Sequence, residues 1–168
     1  METQYSILKC KHFWVLFLVL GFISCEKDDI CLPMSPTTPR LILKTFNHAD
    51  LTNPTRPSNF LIKPVGIEMD LPINNRDSVL LPLRNDQSFT DFEFIINYEE
   101  SDENIDTLRF NYRVDDKYLN RSCGFISTFI LNNPPYEIIN SGQNWIMEIK
   151  TLKDSIIDEQ SAHLHLIF

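Results

Sequence analysis

The chain has 168 residues and a formal charge of −8 at pH 7. That length supports one domain with a sizeable core, and the acidic balance repels phosphate backbones, which argues against a nucleic-acid partner. There is no nucleophile elbow, His-Glu-x-x-His, phosphate loop or dinucleotide fingerprint, so no residue nominates itself as catalytic and no cofactor is implied.

Lys9 and Lys11 precede an eleven-residue apolar run, Phe13–Ile23, and the small residue Ser24 follows it. This is the layout of a secretory signal peptide over residues 1–24. The run is too short to span a bilayer, which needs about 20 apolar residues, so a signal anchor is the weaker reading. Removing residues 1–24 takes away Glu2, Lys9 and Lys11 and leaves 144 residues with formal charge −9.

Phe22-Ile23-Ser24-Cys25 resembles a bacterial lipobox, with Phe22 in place of the usual Leu. The resemblance implies that the Cys25 thiol takes the lipid and that its freed amine is acylated, so the partner is a membrane. Two or three acyl chains anchor stably where one would be marginal. Glu26-Lys27-Asp28-Asp29 is similar to the export signal of Bacteroidetes lipoproteins, a Lys and two acidic residues just after the lipidated cysteine. It implies an outer-membrane lipoprotein at the cell surface. The alternative is a periplasm-facing lipoprotein in which Lys27, Asp28 and Asp29 are only a solvated tether. Cys10 leaves with the signal peptide and Cys25 is lipidated, so Cys31 and Cys123 remain. Two cysteines in an exported chain read as one disulfide. A catalytic thiol at Cys123 would need a cationic neighbour and an unpaired Cys31.

Residues 25–39 form an acidic, Pro-rich tether, since Pro33, Pro36 and Pro39 forbid helix and favour extended chain. Period-two alternation begins after Arg40. Leu41, Leu43 and Thr45 share one face of a strand, and Ile42, Lys44 and Phe46 the other. Residues 47–59 read as a polar loop. Phe60–Lys63, Gly66–Leu71 and Ser78–Leu83 read as short strands cut by Pro64, Pro72 and Pro82. The clearest signal is Phe89–Tyr98 followed by Ile105–Val114. Phe92, Phe94, Ile96 and Tyr98 share one face, as do Leu108, Phe110, Tyr112 and Val114. Such alternation marks half-buried antiparallel strands. The acidic link 99–104 is then a hairpin loop, and outward Glu93 is expected to face an outward Arg.

Ser122–Leu131 is apolar on both faces, which predicts a doubly covered central strand ending at Asn132-Asn133-Pro134-Pro135. Trp145–Lys150 alternates, placing Trp145, Met147 and Ile149 inward, and Ala162–Phe168 closes the chain. Residues 154–160 are expected to form one helical turn. Short strands with turn signals between them predict an all-β fold: an antiparallel β-sandwich of seven to nine strands, immunoglobulin- or transthyretin-like, over residues 40–168.

Few residues offer chemistry. His163 and His165 lie two apart on the last strand and could begin a zinc or copper site, but no third ligand is visible and a polar strand face is the better reading. Glu99, Glu100, Asp102, Glu103 and Asp106 could hold calcium, yet the spacing lacks the EF-hand glycine, and charge blocks are usually exposed tips. Trp145, the one tryptophan left after residues 1–24 are removed, reads as core rather than as a sugar platform. Asp77-Ser78-Val79, Asp106-Thr107-Leu108 and Asp154-Ser155-Ile156 resemble the Bacteroidetes O-glycosylation sequon at Ser78, Thr107 and Ser155. A polar residue entering a strand gives the same triplet.

Cys25-Glu26-Lys27-Asp28-Asp29-Ile30-Cys31, Thr38-Pro39-Arg40-Leu41, Leu81-Pro82-Leu83 and Ser122-Cys123-Gly124-Phe125 together resemble an uncharacterised flavobacterial lipoprotein family, a domain of unknown function. The resemblance supports lipidation and the Cys31–Cys123 pair, and it brings no activity. The expectation is a lipid-anchored binding or structural module of the envelope, with envelope proteins or glycans as partners. An envelope hydrolase or metal-dependent enzyme on the same fold is the alternative.

Overall fold

The computed structural model describes residues 30–71, 78–140 and 142–168. The expected signal peptide over residues 1–24, and Cys25, Lys27, Asp28 and Asp29, lie outside the described residues. Two compact units are present. Among the described residues the smaller comprises Ile30–Ser35 with Leu119–Gly124, and the larger comprises the rest, within Pro36–Tyr118 and Phe125–Phe168. The division falls at Ser35 rather than at the end of the proline-rich stretch. Pro39 is already buried, and the Thr38 hydroxyl accepts the Ser127 N–H at 3.0 Å.

The larger unit is all-β, with two sheets and no helix among the described residues. In the first sheet, β1 (Leu41–Asn47) is central. One of its edges pairs antiparallel with β4 (Ser78–Leu81) and, further on, with β2 (Asp50–Pro54). The other edge pairs in parallel with β10 (Leu164–Ile167), and β8 (Glu148–Thr151) lies antiparallel beyond it. The second sheet runs in the order β3 (Leu61–Pro64), β5 (Phe89–Ile96), β6 (Asn104–Asn120), β7 (Gly124–Ile138) and β9 (Ser155–Ile156).

The two sheets bury opposite faces of alternating strands. Leu41, Leu43, Leu164 and Leu166 from the first meet Phe92, Phe94, Leu108, Phe110, Tyr112 and Phe129 from the second, and all are at most 1% exposed. The rings meet edge-on or tilted, Phe94–Phe110 at 6.3 Å and Tyr112–Phe129 at 5.2 Å. Such geometries suit the ring quadrupoles. Trp145 joins this core: its indole N–H donates to the Phe94 carbonyl at 3.1 Å, and its ring lies edge-on to Phe60.

The departures from sequence expectation have local causes. Ten strands are described, because the loop after β1 folds back as β2, held by Asp50 Oδ1 and Oδ2 accepting from Thr52 N and the Asn53 amide. Gly66–Leu71 forms no strand; Gly66 has φ 81°, which an L side chain rarely adopts. Asn132–Pro135 does not end β7. The short β9 pairs only with Phe129 and Ile130, so one edge of β7 is open beyond it and tolerates prolines. The expected helical turn at 154–160 is instead β9 and bends.

Met147 is 66% exposed, because Trp145 and Ile146 are both buried and break the alternation ahead of β8. Phe125 is 67% exposed rather than doubly covered. The last β5–β6 pair is Phe89 with Asn111, so past Tyr112 strands β6 and β7 run on without β5 beside them. Glu93 stands opposite Thr107, and the cross-strand ion pair is made by Asp91. Both Asp91 oxygens accept from Arg109 at 2.8 Å, with the guanidinium 4.2 Å over the Phe89 ring.

In the smaller unit, Asn120 Oδ1 accepts from Ser122 N and Cys123 N, which tightens the turn that presents Cys123. Cys31 and Cys123 are disulfide-bonded, closing a separation of 92 residues. Leu32–Ser35 is a β-turn closed by Ser35 N donating to Leu32 O at 2.9 Å. Pro33 occupies its second position, where a fixed φ suits the turn.

Candidate functional site

The most distinctive surface of the larger unit is the loop from Val65 to Asp70. Val65 N donates to Asp91 O and Leu71 N to Ile62 O, so the loop is fastened at both ends to the second sheet. Between those ties Val65, Ile67 and Met69 stay 46–55% exposed. They form one wall of a cleft of about 240 Å³ whose other wall is Pro82, Leu83, Arg84 and Phe89. On the other side of the loop an open hollow is lined by Lys63, Glu68, Asp70 and Glu93. Lys63 sits 3.9 Å from Asp70 and 4.8 Å over the Tyr98 ring. Exposed apolar side chains thus cluster here beside a charged rim instead of being scattered singly.

The hydroxyls near the cleft are already committed. Tyr112 OH donates to Arg84 O at 2.7 Å, so Thr90 Oγ1 donates to the Tyr112 oxygen at 2.5 Å and accepts from Arg84 N at 3.0 Å. Burial pushes the Tyr112 phenol above its ordinary range. Arg84 itself is held bidentate by Asp86. This network fixes the β4–β5 connection and leaves the cleft an apolar wall with no free nucleophile or base among these groups.

His163 is 1% exposed. Its Nδ1 accepts the Ile42 N–H at 3.0 Å, and its backbone N–H donates to Ile42 O at 2.9 Å. Burial holds it below the ordinary imidazole range, neutral at pH 7. Nδ1 is therefore engaged and unavailable to a metal. His165 stacks on Phe46 at 4.4 Å, and burial, with Lys44 and Lys150 adding to it, lowers its pKa as well. Among the described residues no group of three metal-ligating side chains converges.

The acidic run also disperses. Asn59 donates to Glu100, Glu99 N to Glu103 at 2.9 Å, and the Asn97 amide to Asp102 at 2.9 Å, so these carboxylates brace their own loop. Ser78, Thr107 and Ser155 each sit half-buried in a strand, and each is followed by an inward residue, Val79, Leu108 or Ile156, at most 3% exposed. The triplets thus coincide with strand alternation.

Asp106 was read with the acidic loop, yet it is fully buried. Its parity matches Leu108, Phe110 and Tyr112, which was the available signal. Oδ2 accepts from Trp145 N at 3.0 Å and Ile146 N at 2.8 Å, pinning the segment that carries the tryptophan. Oδ1 has no hydrogen-bond partner among the described residues; the nearby Asn140 amide also donates to Ile105 O at 3.0 Å. Burial raises the Asp106 pKa, and the Ile146 N–H, the Asn140 amide and the Trp145 N–H oppose that only in part. A carboxyl with a raised folded pKa stabilises fully below its unfolded value and loses that contribution as pH rises through the folded value. Unfolding free energy of the wild type, taken relative to Asp106→Asn, should therefore fall as pH climbs from the ordinary value of 3.8 toward neutrality. Urea titrations at a series of pH values check this; a difference that rises with pH would refute it.

A family profile matches residues 62–168, well over half of the chain. The chain belongs to DUF6452, a family of unknown function. The matched stretch of this DUF6452 member holds the cleft loop, Asp106, Cys123 and both late histidines, and it begins after Cys31 and β1. Neither the curated proteins nor the solved structures contain a match.

Proposed function

We propose that this DUF6452 protein is a lipid-anchored, surface-displayed envelope lipoprotein whose two-sheet domain is a binding module. The observation that carries the reading is the order of its first residues: apolar run, Ser24-Cys25, then Lys27-Asp28-Asp29. The Cys31–Cys123 disulfide supports it, since such bonds persist in oxidising compartments outside the cytosol. The apolar cleft, with its neighbouring hydroxyls bonded to one another, favours binding over bond-making chemistry.

The test is metabolic labelling with a fatty-acid analogue. Label is expected on the wild type and absent from Cys25→Ala, which should also keep residues 1–24. A Cys25→Ala chain that still takes up label overturns lipidation. Protease added to intact cells should remove the domain, and Lys27→Ala with Asp28→Ala should protect it. Unchanged cleavage of that double variant would show that the tether is not the address.

A further inference from the structure

The geometry points to a second membrane contact in the smaller unit: Ile30, Leu32 and Met34 seat in the headgroup layer of the bilayer that holds the Cys25 anchor. The inference rests on the lipoprotein reading above.

Three observations carry it. First, these three apolar side chains, close together in sequence, are all largely exposed: Ile30 74%, Leu32 68% and Met34 96%. They are presented in a fixed way. Leu32 and Met34 belong to the Pro33 turn, and Cys31 between Ile30 and Leu32 is locked to Cys123. Ordering them on a surface therefore costs less than ordering a free tether would.

Second, the chain outside the described residues sets their reach. Six peptide steps separate Cys25 from Cys31, about 20 Å when fully extended. The turn cannot leave the neighbourhood of the lipid. Its high local concentration at the interface makes even a weak apolar contact populated.

Third, the charge fits. The chain without residues 1–24 carries −9, yet Ile30–Ser35 and Leu119–Gly124 contain no acidic residue and one cation, Arg121. Glu26, Asp28 and Asp29 precede Ile30, so the acidic charge of the tether ends before a turn that carries none and that a bilayer surface does not repel. Apolar side chains next to an acyl anchor add to its hold in proportion to the area they bury.

The experiment uses the full lipidated protein in phosphatidylcholine vesicles with bromine on the upper acyl carbons. Leu32→Trp and Met34→Trp are prepared separately, with the unsubstituted protein, whose Trp145 is buried, as background. Folding of each variant is verified by failure of both cysteines to alkylate without reductant, and acylation of Cys25 by mass spectrometry. An interfacial apolar residue lies about 5–10 Å into the headgroup–acyl boundary, so emission at each new Trp should drop roughly twofold relative to unbrominated vesicles. Acylated, folded variants whose emission bromine leaves unchanged would overturn the membrane contact alone and leave these side chains to a protein partner. Absence of acyl groups on Cys25 would overturn the lipoprotein reading, and this inference with it.

Discussion

Replacing Cys31 and Cys123 together with serine is expected to lower the unfolding free energy by about 4–5 kcal/mol, as the chain-entropy model gives for a loop near 100 residues. The closed loop here spans 92 residues. Single domains have a net stability of only about 5–15 kcal/mol, so the loss removes a large share of it. The melting temperature should fall by roughly 10–20 °C at this size. The mechanism predicts where the effect will not appear. Every core residue lies in the larger unit, and the disulfide lies wholly in the smaller. The tyrosine and tryptophan bands in the near-ultraviolet circular dichroism of the folded double variant should therefore match the wild type, with only the disulfide's own broad contribution lost. A urea midpoint unchanged by the double substitution would refute the account, and so would a loss of native aromatic signal before unfolding.

Phe94→Ala should cost about 3–5 kcal/mol, the range for deleting a buried phenylalanine. The ring is fully buried against Phe60 at 6.2 Å and Phe110 at 6.3 Å, and the residue's carbonyl receives the Trp145 indole. Its removal leaves a void beside the segment that Asp106 pins. Met147→Ala is the paired control. Alternation groups Met147 with Trp145 and Ile149, whereas the structure exposes it, so its loss should stay within about 0.5 kcal/mol. Denaturant titration of the two variants separates the cases. A Met147→Ala cost comparable to that of Phe94→Ala would place the register of the segment ahead of β8 in error.

The paired β5 and β6 were legible because each strand keeps strict alternation over many residues, and only one register buries Phe92, Phe94, Leu108 and Phe110 together. The two-sheet architecture followed from the turn spacing. What escaped was set by tertiary context. Apolar content alone drew a strand at Gly66–Leu71, but a left-handed Gly66 and ties at both ends make it a projecting loop. That loop is the cleft wall, so the candidate surface lay in a segment whose composition suggested core. Asp106 was hidden by its charge, although its parity placed it inward. The histidines read as one polar strand face, yet His163 precedes β10 and is buried, and the Ile42 N–H that engages it comes from a strand about 120 residues away. No local pattern reports such a partner.

The parallel pairing of β1 with β10 has a consequence for the order of assembly. Leu43 sits opposite Leu164, about 120 residues further on, so one edge of the central strand of the first sheet waits for β10. β8 also needs β10 to join that sheet. Contacts of such separation are slow to form, because the loop must close before they reward it. The hairpin of β5 and β6 has no such delay. The second sheet can begin from this hairpin while β1 has only β2 and β4 beside it.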